Sequence, residues 1–376
     1  MKGNKTVDIG NLIIPNEIVF EILKRICAKS LMRFRCVSKY FCSLISESSF
    51  IEAHHRSSAA QFLLHRLTYT PKIVIYNLSL EDENIANCLV RYLDETCFRT
   101  LHNMQSSSIN GIFCLWNYNG DVAICNPFIK EHVFLPKVPN IEKVSQSIII
   151  SSYLFGFDPT ANKHKVLMGY MVFFENRLVH GIKYLIFTIG VDKSWRDISG
   201  GWMPNICTTN NYVCIDGVIY CENRFRPNIV VISIVREKLI RTISFPDERV
   251  LILPGMMNTI VEIKGQVALV VNDKDDVDEG FSKICVYILD GTSETEAWVK
   301  HIIELPSLST KTSLFTTNHK GEIVWIPDTN TLHMFLYDIG LKEWRKVEIH
   351  GNYEQQCITD PYSVLLYLVE SIRPLR

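Results

Sequence analysis

Residues 210–246, NNYVCIDGVIYCENRFRPNIVVISIVREKLIRTISFP, decide the fold of this chain. Four short runs rich in Val, Ile and Tyr, namely NYVCI, VIYC, IVVISI and LIRTISFP, are separated by Asp216-Gly217, by a polar stretch from Asn223 to Asn228, and by VREK. β-Branched and aromatic residues suit a pleated, half-buried surface. An Asp-Gly pair supplies the positive φ angles that a two-residue hairpin requires. The unit therefore reads as four antiparallel strands in a meander.

The same order recurs to either side. Near 258–306 it runs Lys264-Gly265, QVALVV, ICVYIL and WVKHIIELP, and near 314–349 it runs Lys320-Gly321, EIVWIP, HMFLYDI and WRKVEI. Residues 107–136 give Asn110-Gly111, IFCLW, VAICNP and HVFLP, and 153–198 give YLFGFDP, KVLMGYMV, KYLIFTI and SWRDIS without the glycine. The corresponding glycines are spaced by 48 residues from Gly217 to Gly265 and by 56 from Gly265 to Gly321, which suits one four-stranded blade of a β-propeller per repeat. With a degenerate unit over 62–100 the expected count is about six blades. The run YSVLLYLVES at 362–371 is expected to close the ring against the first blade.

Trp195, Trp298 and Trp344 each open the last strand of a repeat and are expected to pack between blades. Trp202 differs, because the stretch Ser199-Gly200-Gly201-Trp202-Met203-Pro204 fits no strand pattern. In a four-stranded meander the turns between strands one and two and between three and four leave one face of the ring. The other connections leave the opposite face, and here they are the longer ones. Exposed aromatic and Arg residues are common interface anchors, so Trp202, Met203, Arg224, Phe225 and Arg226 are the candidate contacts for a target protein.

Ahead of the β-rich region, residues 13–51 read IIPNEIVFEILKRICAKSLMRFRCVSKYFCSLISESSFI. Pro15 suits the first turn of a helix, and Ile18, Val19, Ile22, Leu23 and Ile26 share one face of a helix ending near Cys27. Ser30 is the expected N-cap of a second helix carrying Leu31, Phe34, Val37, Phe41, Leu44 and Ile45. A third helix is expected after Ser48 or Ser49. About forty residues cannot bury this much apolar surface alone, which points to a partner.

This segment resembles an F-box, on Ile14-Pro15, Glu21-Ile22-Leu23, Lys29-Ser30-Leu31, the string Arg33-Phe34-Arg35-Cys36-Val37-Ser38-Lys39, Ser43-Leu44-Ile45 and Ser49-Phe50-Ile51. It departs from the family at Cys27, where many members have Pro, and at Phe41-Cys42, where Trp-Arg is usual. The strings ICNPFIKEHVFLP, FGFDPTANKHKVL, SWRDI, IDGVIYC, ISFP and WVKHIIELP resemble, in that order, the F-box-associated domain of plant F-box proteins, the group that includes S-locus F-box proteins.

The resemblance implies a substrate-recognition subunit of an SCF-type ubiquitin ligase in cytoplasm or nucleus. It would bind a Skp-type adaptor, and through it a cullin, by Ile14, Pro15, Ile18, Ile22, Leu23, Leu31, Phe34, Val37, Phe41 and Leu44. The rival reading is an F-box scaffold or inhibitor acting outside a ligase. The expected organisation is mainly β with a small α module: a flexible terminus at 1–10, a three-helix F-box at 11–57, and a propeller-like domain at 58–376.

Bulk properties exclude other classes. The chain has 376 residues, a formal net charge of −1 and a pI near 6.8, so no global field favours nucleic acid or anionic membrane. No run approaches the length needed to span a bilayer, and the N-terminus has no signal-like apolar core. The twelve cysteines form no CxxC pair and are expected to be reduced. Cys207, Cys214 and Cys221 lie on or beside strand-like runs without histidines at zinc-site spacing. In Asp273–Gly280 a valine, Val277, occupies a position where a calcium loop needs oxygen. Phosphate-loop, dinucleotide, zinc-protease and nucleophile-elbow motifs are absent. No catalysis, cofactor or metal is expected.

Overall fold

The computed structural model describes residues 6–9, 12–58, 60–67, 73–82, 85–92, 105–117, 120–138, 148–173, 179–198, 211–223, 226–246, 259–272, 281–291, 297–309, 314–318, 320–327, 333–351 and 364–375. A hairpin of β1 (Thr6–Ile9) and β2 (Leu12–Pro15) leads into α1 (Asn16–Leu23), α2 (Ala28–Phe34), α3 (Lys39–Ser46) and α4 (Ser48–Ser57). The segment expected to be a flexible terminus thus includes a paired strand.

Four helices replace the three expected. The long second helix is broken at Arg35–Ser38, where Ser38 is extended (φ −154°, ψ 157°) and its Oγ accepts the Phe41 N–H at 3.2 Å. Ser is a strong N-cap, and the cap starts a new helix where the apolar period alone would continue the old one. Ser30 is not a cap, since Cys27 precedes α2 and provides no side-chain acceptor. The first helix ends at Leu23, and Pro15 is its cap residue, one position ahead of the first turn.

Three strands follow: β3 (Ala60–Leu67), β4 (Ile73–Asp82) and β5 (Ile85–Tyr92). Then come five consecutive four-stranded meanders. The first is β6 (Gln105–Ile109), β7 (Ile112–Trp116), β8 (Val122–Asn126) and β9 (Glu131–Phe134). The second is β10 (Ile148–Asp158), β11 (Lys163–Phe173), β12 (Val179–Thr188) and β13 (Arg196–Asp197). The third is β14 (Tyr212–Ile215), β15 (Val218–Glu222), β16 (Asn228–Ser233) and β17 (Lys238–Ser244). The fourth is β18 (Thr259–Ile263), β19 (Gln266–Asn272), β20 (Phe281–Asp290) and β21 (Ala297–Ser309). The fifth is β22 (Leu314–Thr317), β23 (Ile323–Ile326), β24 (His333–Asp338) and β25 (Glu343–Gly351), and the last strand is β26 (Val364–Val369).

The expectation of about six blades is corrected to five continuous ones, because the unit placed at 62–100 supplies only three strands of its own. β26 pairs antiparallel with β3, and β5 pairs parallel with β25, so the fifth meander continues into an eight-stranded sheet in the order β22-β23-β24-β25-β5-β4-β3-β26. β26 also lies between β22 and β6, as expected for a closing strand. Successive meanders pack face to face through their leading strands, β6 by β10, β10 by β14, β14 by β18 and β18 by β22.

Outside the helices, the core clusters fill the space between neighbouring sheets. Ile112, Trp116, Tyr153, Phe155 and Met168 join the first to the second, and Leu154, Tyr184, Ile219 and Ile232 join the second to the third. The tryptophans expected between blades sit there, each with a backbone partner on the preceding blade. Trp195 Nε1 donates to Pro136 O at 2.7 Å, Trp298 Nε1 to Ser244 O at 3.1 Å, and Trp344 Nε1 to Glu304 O at 2.7 Å. The third meander has no such tryptophan. Its seam with the second is held by the buried Lys165, whose Nζ donates to Asp158 at 2.9 Å, Glu237 at 2.9 Å and Ile234 O at 3.1 Å. Arg196 closes the network on Glu237 at 2.7 Å and Asp192 at 3.0 Å. Burial raises the Asp158 carboxyl, but the Thr160 hydroxyl, the Ala161 N–H and Lys165 outweigh it and hold the group at about 2.

Asn110-Gly111, Asp216-Gly217 and Lys264-Gly265 all have positive φ at both positions, as the hairpin reading requires. Lys320-Gly321 departs from it. Only Gly321 has positive φ, and the β22–β23 connection is a wider loop in which Asn318 Oδ1 accepts the N–H groups of Lys320 and Glu322, both at 3.0 Å.

The turns give a paired prediction. A Cβ on Gly217 would meet Pro159 and Val235 at 2.8 Å, whereas one on Gly265 meets nothing within 4 Å. Both alanine variants incur the positive-φ strain of roughly 1 kcal/mol. Gly217→Ala adds overpacking of about 1–3 kcal/mol, so its melting temperature falls clearly further than that of Gly265→Ala. Equal shifts would contradict the packing.

A second prediction concerns pH. His164 is buried, stacks on Phe155 at 5.2 Å and donates through Nε2 to Ile109 O at 3.1 Å. Burial, then the Arg373 charge, lowers it from 6.5 to about 3. Its folded value lies below the unfolded one, so its contribution is complete above pH 6.5 and declines as pH falls towards 3, by up to ~1.4 kcal/mol per pH unit. His164→Gln, which keeps a donor, should flatten the slope of urea-denaturation stability between pH 6.5 and 5. An unchanged slope would count against a neutral buried imidazole.

Candidate functional site

The four helices form a small bundle around Val19, Leu23, Ala28, Leu31, Ile45, Phe50 and Ile51. Residues three and four apart face the same side of a helix, so each short helix buries one side chain set and presents another. On α1, Val19 and Leu23 point inward, while Ile18 (51 % exposed) and Ile22 (53 %) form an outward pair at i and i+4. Val37, in the break between α2 and α3, is 69 % exposed. Around it Phe34 and Phe41 meet edge to face at 5.6 Å, and Phe41 meets Tyr40 at 5.4 Å.

The ten candidate docking residues therefore divide. Pro15, Ile18, Ile22 and Val37 are exposed, and Ile14, Phe34, Phe41 and Leu44 are half-buried against the bundle core. Leu23 (3 %) and Leu31 (0 %) are interior. Those two share the bundle core with Phe50 and Ile51 of α4, and an apolar period read without its neighbours cannot tell inward from outward residues. A large apolar side chain more than half exposed, repeated three times in under fifty residues, is the informative feature.

The helices do not stand free of the β domain. Phe128 and Ile129, from the turn between β8 and β9, and Ile372 join their core. Part of the apolar surface expected to need a partner is thus covered within the chain. His54 is buried there, its Nε2 donating to Ile26 O at 2.9 Å, and burial lowers its pKa. The turns that touch the helices, β8–β9 through Phe128 and Ile129 and β6–β7 through Asn110 on His55, belong to the three-to-four and one-to-two class. The helices therefore sit toward the short-turn face of the propeller.

Of the five candidate target contacts, Arg226 is described and exposed, with its carbonyl accepting the Asn228 N–H at 2.7 Å. Trp202, Met203, Arg224 and Phe225 lie outside the described residues. The acidic loop 273–280 and Cys207 lie outside them as well. Cys214 and Cys221 lie on the neighbouring strands β14 and β15, and the Cys221 Sγ donates to Val230 O at 3.6 Å. Burial raises Cys214 to about 11, which keeps it protonated and unsuited to nucleophilic or metal-binding roles. Among the described residues there is no group of three metal-ligating side chains, and no helix is long and apolar enough to cross a membrane.

Comparison with known proteins agrees with this division. Residues 12–52 match the F-box domain, and residues 66–371 match the F-box-associated β-propeller domain. One F-box protein of Arabidopsis thaliana is 27 % identical over 371 residues, covering 90 % of this chain and 90 % of the relative. Another from the same plant is 26 % identical over 394 residues, covering 96 % of this chain and 93 % of the relative. F-box domains bind Skp adaptors, and both domains fit a non-catalytic adaptor family. With a helical module that presents three apolar side chains beside a ring of four-stranded meanders, the chain belongs to the F-box-associated β-propeller domain family.

Proposed function

We propose that this protein is the substrate-recognition subunit of an SCF-type ubiquitin ligase, with 11–57 as the adaptor-binding domain and 58–376 as the target-binding domain. The observation that carries the reading is the outward set Ile18, Ile22 and Val37 on a module that matches the F-box. Burying these side chains against an adaptor would remove apolar surface from water that the chain itself leaves uncovered. The subunit itself performs no transfer chemistry. It raises the local concentration of target lysines near the ubiquitin carrier held through a cullin. We count β26 with β3, β4 and β5 as a sixth, composite blade, and the chain as akin to the S-locus F-box group.

The adaptor experiment contrasts two residue classes. Ile18→Glu with Ile22→Glu should lower capture of a Skp-type adaptor by more than tenfold, since central interface anchors cost about 2 kcal/mol or more, with little change in melting. Leu31→Ala should instead destabilise the fold by about 2–5 kcal/mol as a core truncation. Undiminished capture by the double variant would reject this docking face, whereas no capture even by the wild type would favour a scaffold acting outside a ligase.

For the target we propose the face opposite the helices, from which the 199–211 and 223–228 connections leave. Support comes from the helices packing by short turns, which leaves the long-connection face for another protein. Trp202→Ala with Phe225→Ala should abolish target capture while adaptor binding and melting persist, and Arg226→Ala should weaken it. Target capture that survives all three changes would place the site elsewhere.

A further inference from the structure

Beyond β26 the chain runs without regular secondary structure from Glu370 to Leu375, and nearly every residue of this run is held by a different element. The Glu370 carboxylate accepts the Ala28 N–H of α2 at 2.9 Å, while its carbonyl accepts His55 Nδ1 of α4 at 3.2 Å. Asn126, fully buried at the end of β8, donates to Ser371 O at 2.9 Å and to Arg373 O at 3.1 Å. Ile372 is buried in the helical core. Arg373 donates to Asn162 in the β10–β11 turn and lies over the Phe157 ring at 4.8 Å. Leu375 takes its N–H to Glu131 Oε2 at 3.0 Å, and its side chain joins the core between the first two meanders. The approach is close throughout, since a Cβ on Gly111 would lie 2.3 Å from Val369 O.

The helix this run touches needs it. α2 is seven residues long, and its cap residue Cys27 offers no side-chain acceptor. The leading N–H groups of a helix have no partner within it, and a carboxylate placed there is among the best acceptors. Here that carboxylate arrives from a residue more than three hundred positions away.

We propose that residues 370–375 are a clasp through which closure of the propeller fixes the helical module, and that Glu370 is the positioning residue that orders α2. The clasp holds α2 at its first turn, and α2 in turn carries the break that presents Val37. Adaptor docking and propeller integrity are coupled through six residues.

Hydrogen exchange on the full chain tests this without any adaptor. Glu370→Ala should raise exchange in 28–34 by roughly five- to tenfold, the effect of losing a helix cap, and leave 212–309 unchanged. Glu370→Gln keeps an acceptor oxygen and should restore most of the protection. Deletion of 371–376, which retains β26, should loosen both 28–34 and 48–57. Unchanged protection of 28–34 in Glu370→Ala would overturn the role of Glu370. A uniform rise across all meanders in the deletion would overturn the clasp, because the segment would then be part of ring closure itself. Adaptor capture measured on the same variants should fall several-fold with loss of the cap. Capture absent even from the wild type would refute the adaptor reading while leaving the exchange result to decide the clasp.

Discussion

The pairing of β26 with β3 is the constraint on which the rest depends. Six Cα pairs, from Val364 with His65 to Val369 with Ala60, join segments about 300 residues apart, and they complete the gap between β22 and β6. Closing so long a loop costs conformational entropy that grows only slowly with length, so the pairing is feasible once the intervening sheets have formed. In its absence β22 and β6 would lack a neighbour, and the meanders would lose the circular packing that buries both faces of each sheet. β-Strands left with an open edge invite pairing with other chains, and radial packing in a propeller leaves only short, protected edges.

Around the ring, different chemistry serves the same mechanical purpose. Three seams are stapled by an indole N–H reaching across to a backbone carbonyl, a contact that adds large apolar area and one directed bond. The seam between the second and third meanders uses Lys165, Asp158, Glu237 and Arg196 instead. A buried lysine is tolerated only because every hydrogen on its ammonium has an acceptor, and removing one carboxylate would strand it. The indole seams tolerate acid, whereas the ionic seam weakens as Asp158 and Glu237, both held below their ordinary values, become protonated. The last seams use backbone, with β5 joined to β25 and the terminal run inserted beside β6 and β8.

Much of this was legible in the sequence. Val- and Ile-rich runs with Asp-Gly, Lys-Gly and Asn-Gly between them locate the hairpins, because few residues other than glycine occupy positive φ readily. The role of Trp195, Trp298 and Trp344 follows from their position at the start of the fourth strand. The failures are equally physical. Ser38 carried a readable cap signal, yet the apolar period of Phe34, Val37 and Phe41 concealed the break. Leu31 and Ile22 look alike in a periodic pattern, and only the packing of α4 separates them. The closing role of 362–371 was legible, but the parallel pairing of β5 with β25 was not, because no local signal announces that a strand will pair with one from the far end of the chain. Lys320-Gly321 resembled the other turns until Asn318 was seen to organise a wider loop.

The division of one sheet between the two ends of the fold sets an order of events during synthesis. The helices and β3 emerge from the ribosome first, then five meanders, and only then β26 and the residues that touch α2. Until that moment a nascent chain has its helical module exposed without the acceptor at Ala28 or the apolar cover of Ile372. A product interrupted between residues 58 and 364 would carry all four helices without either contact. A segment made late thereby reaches back to fix a helix made hundreds of residues earlier.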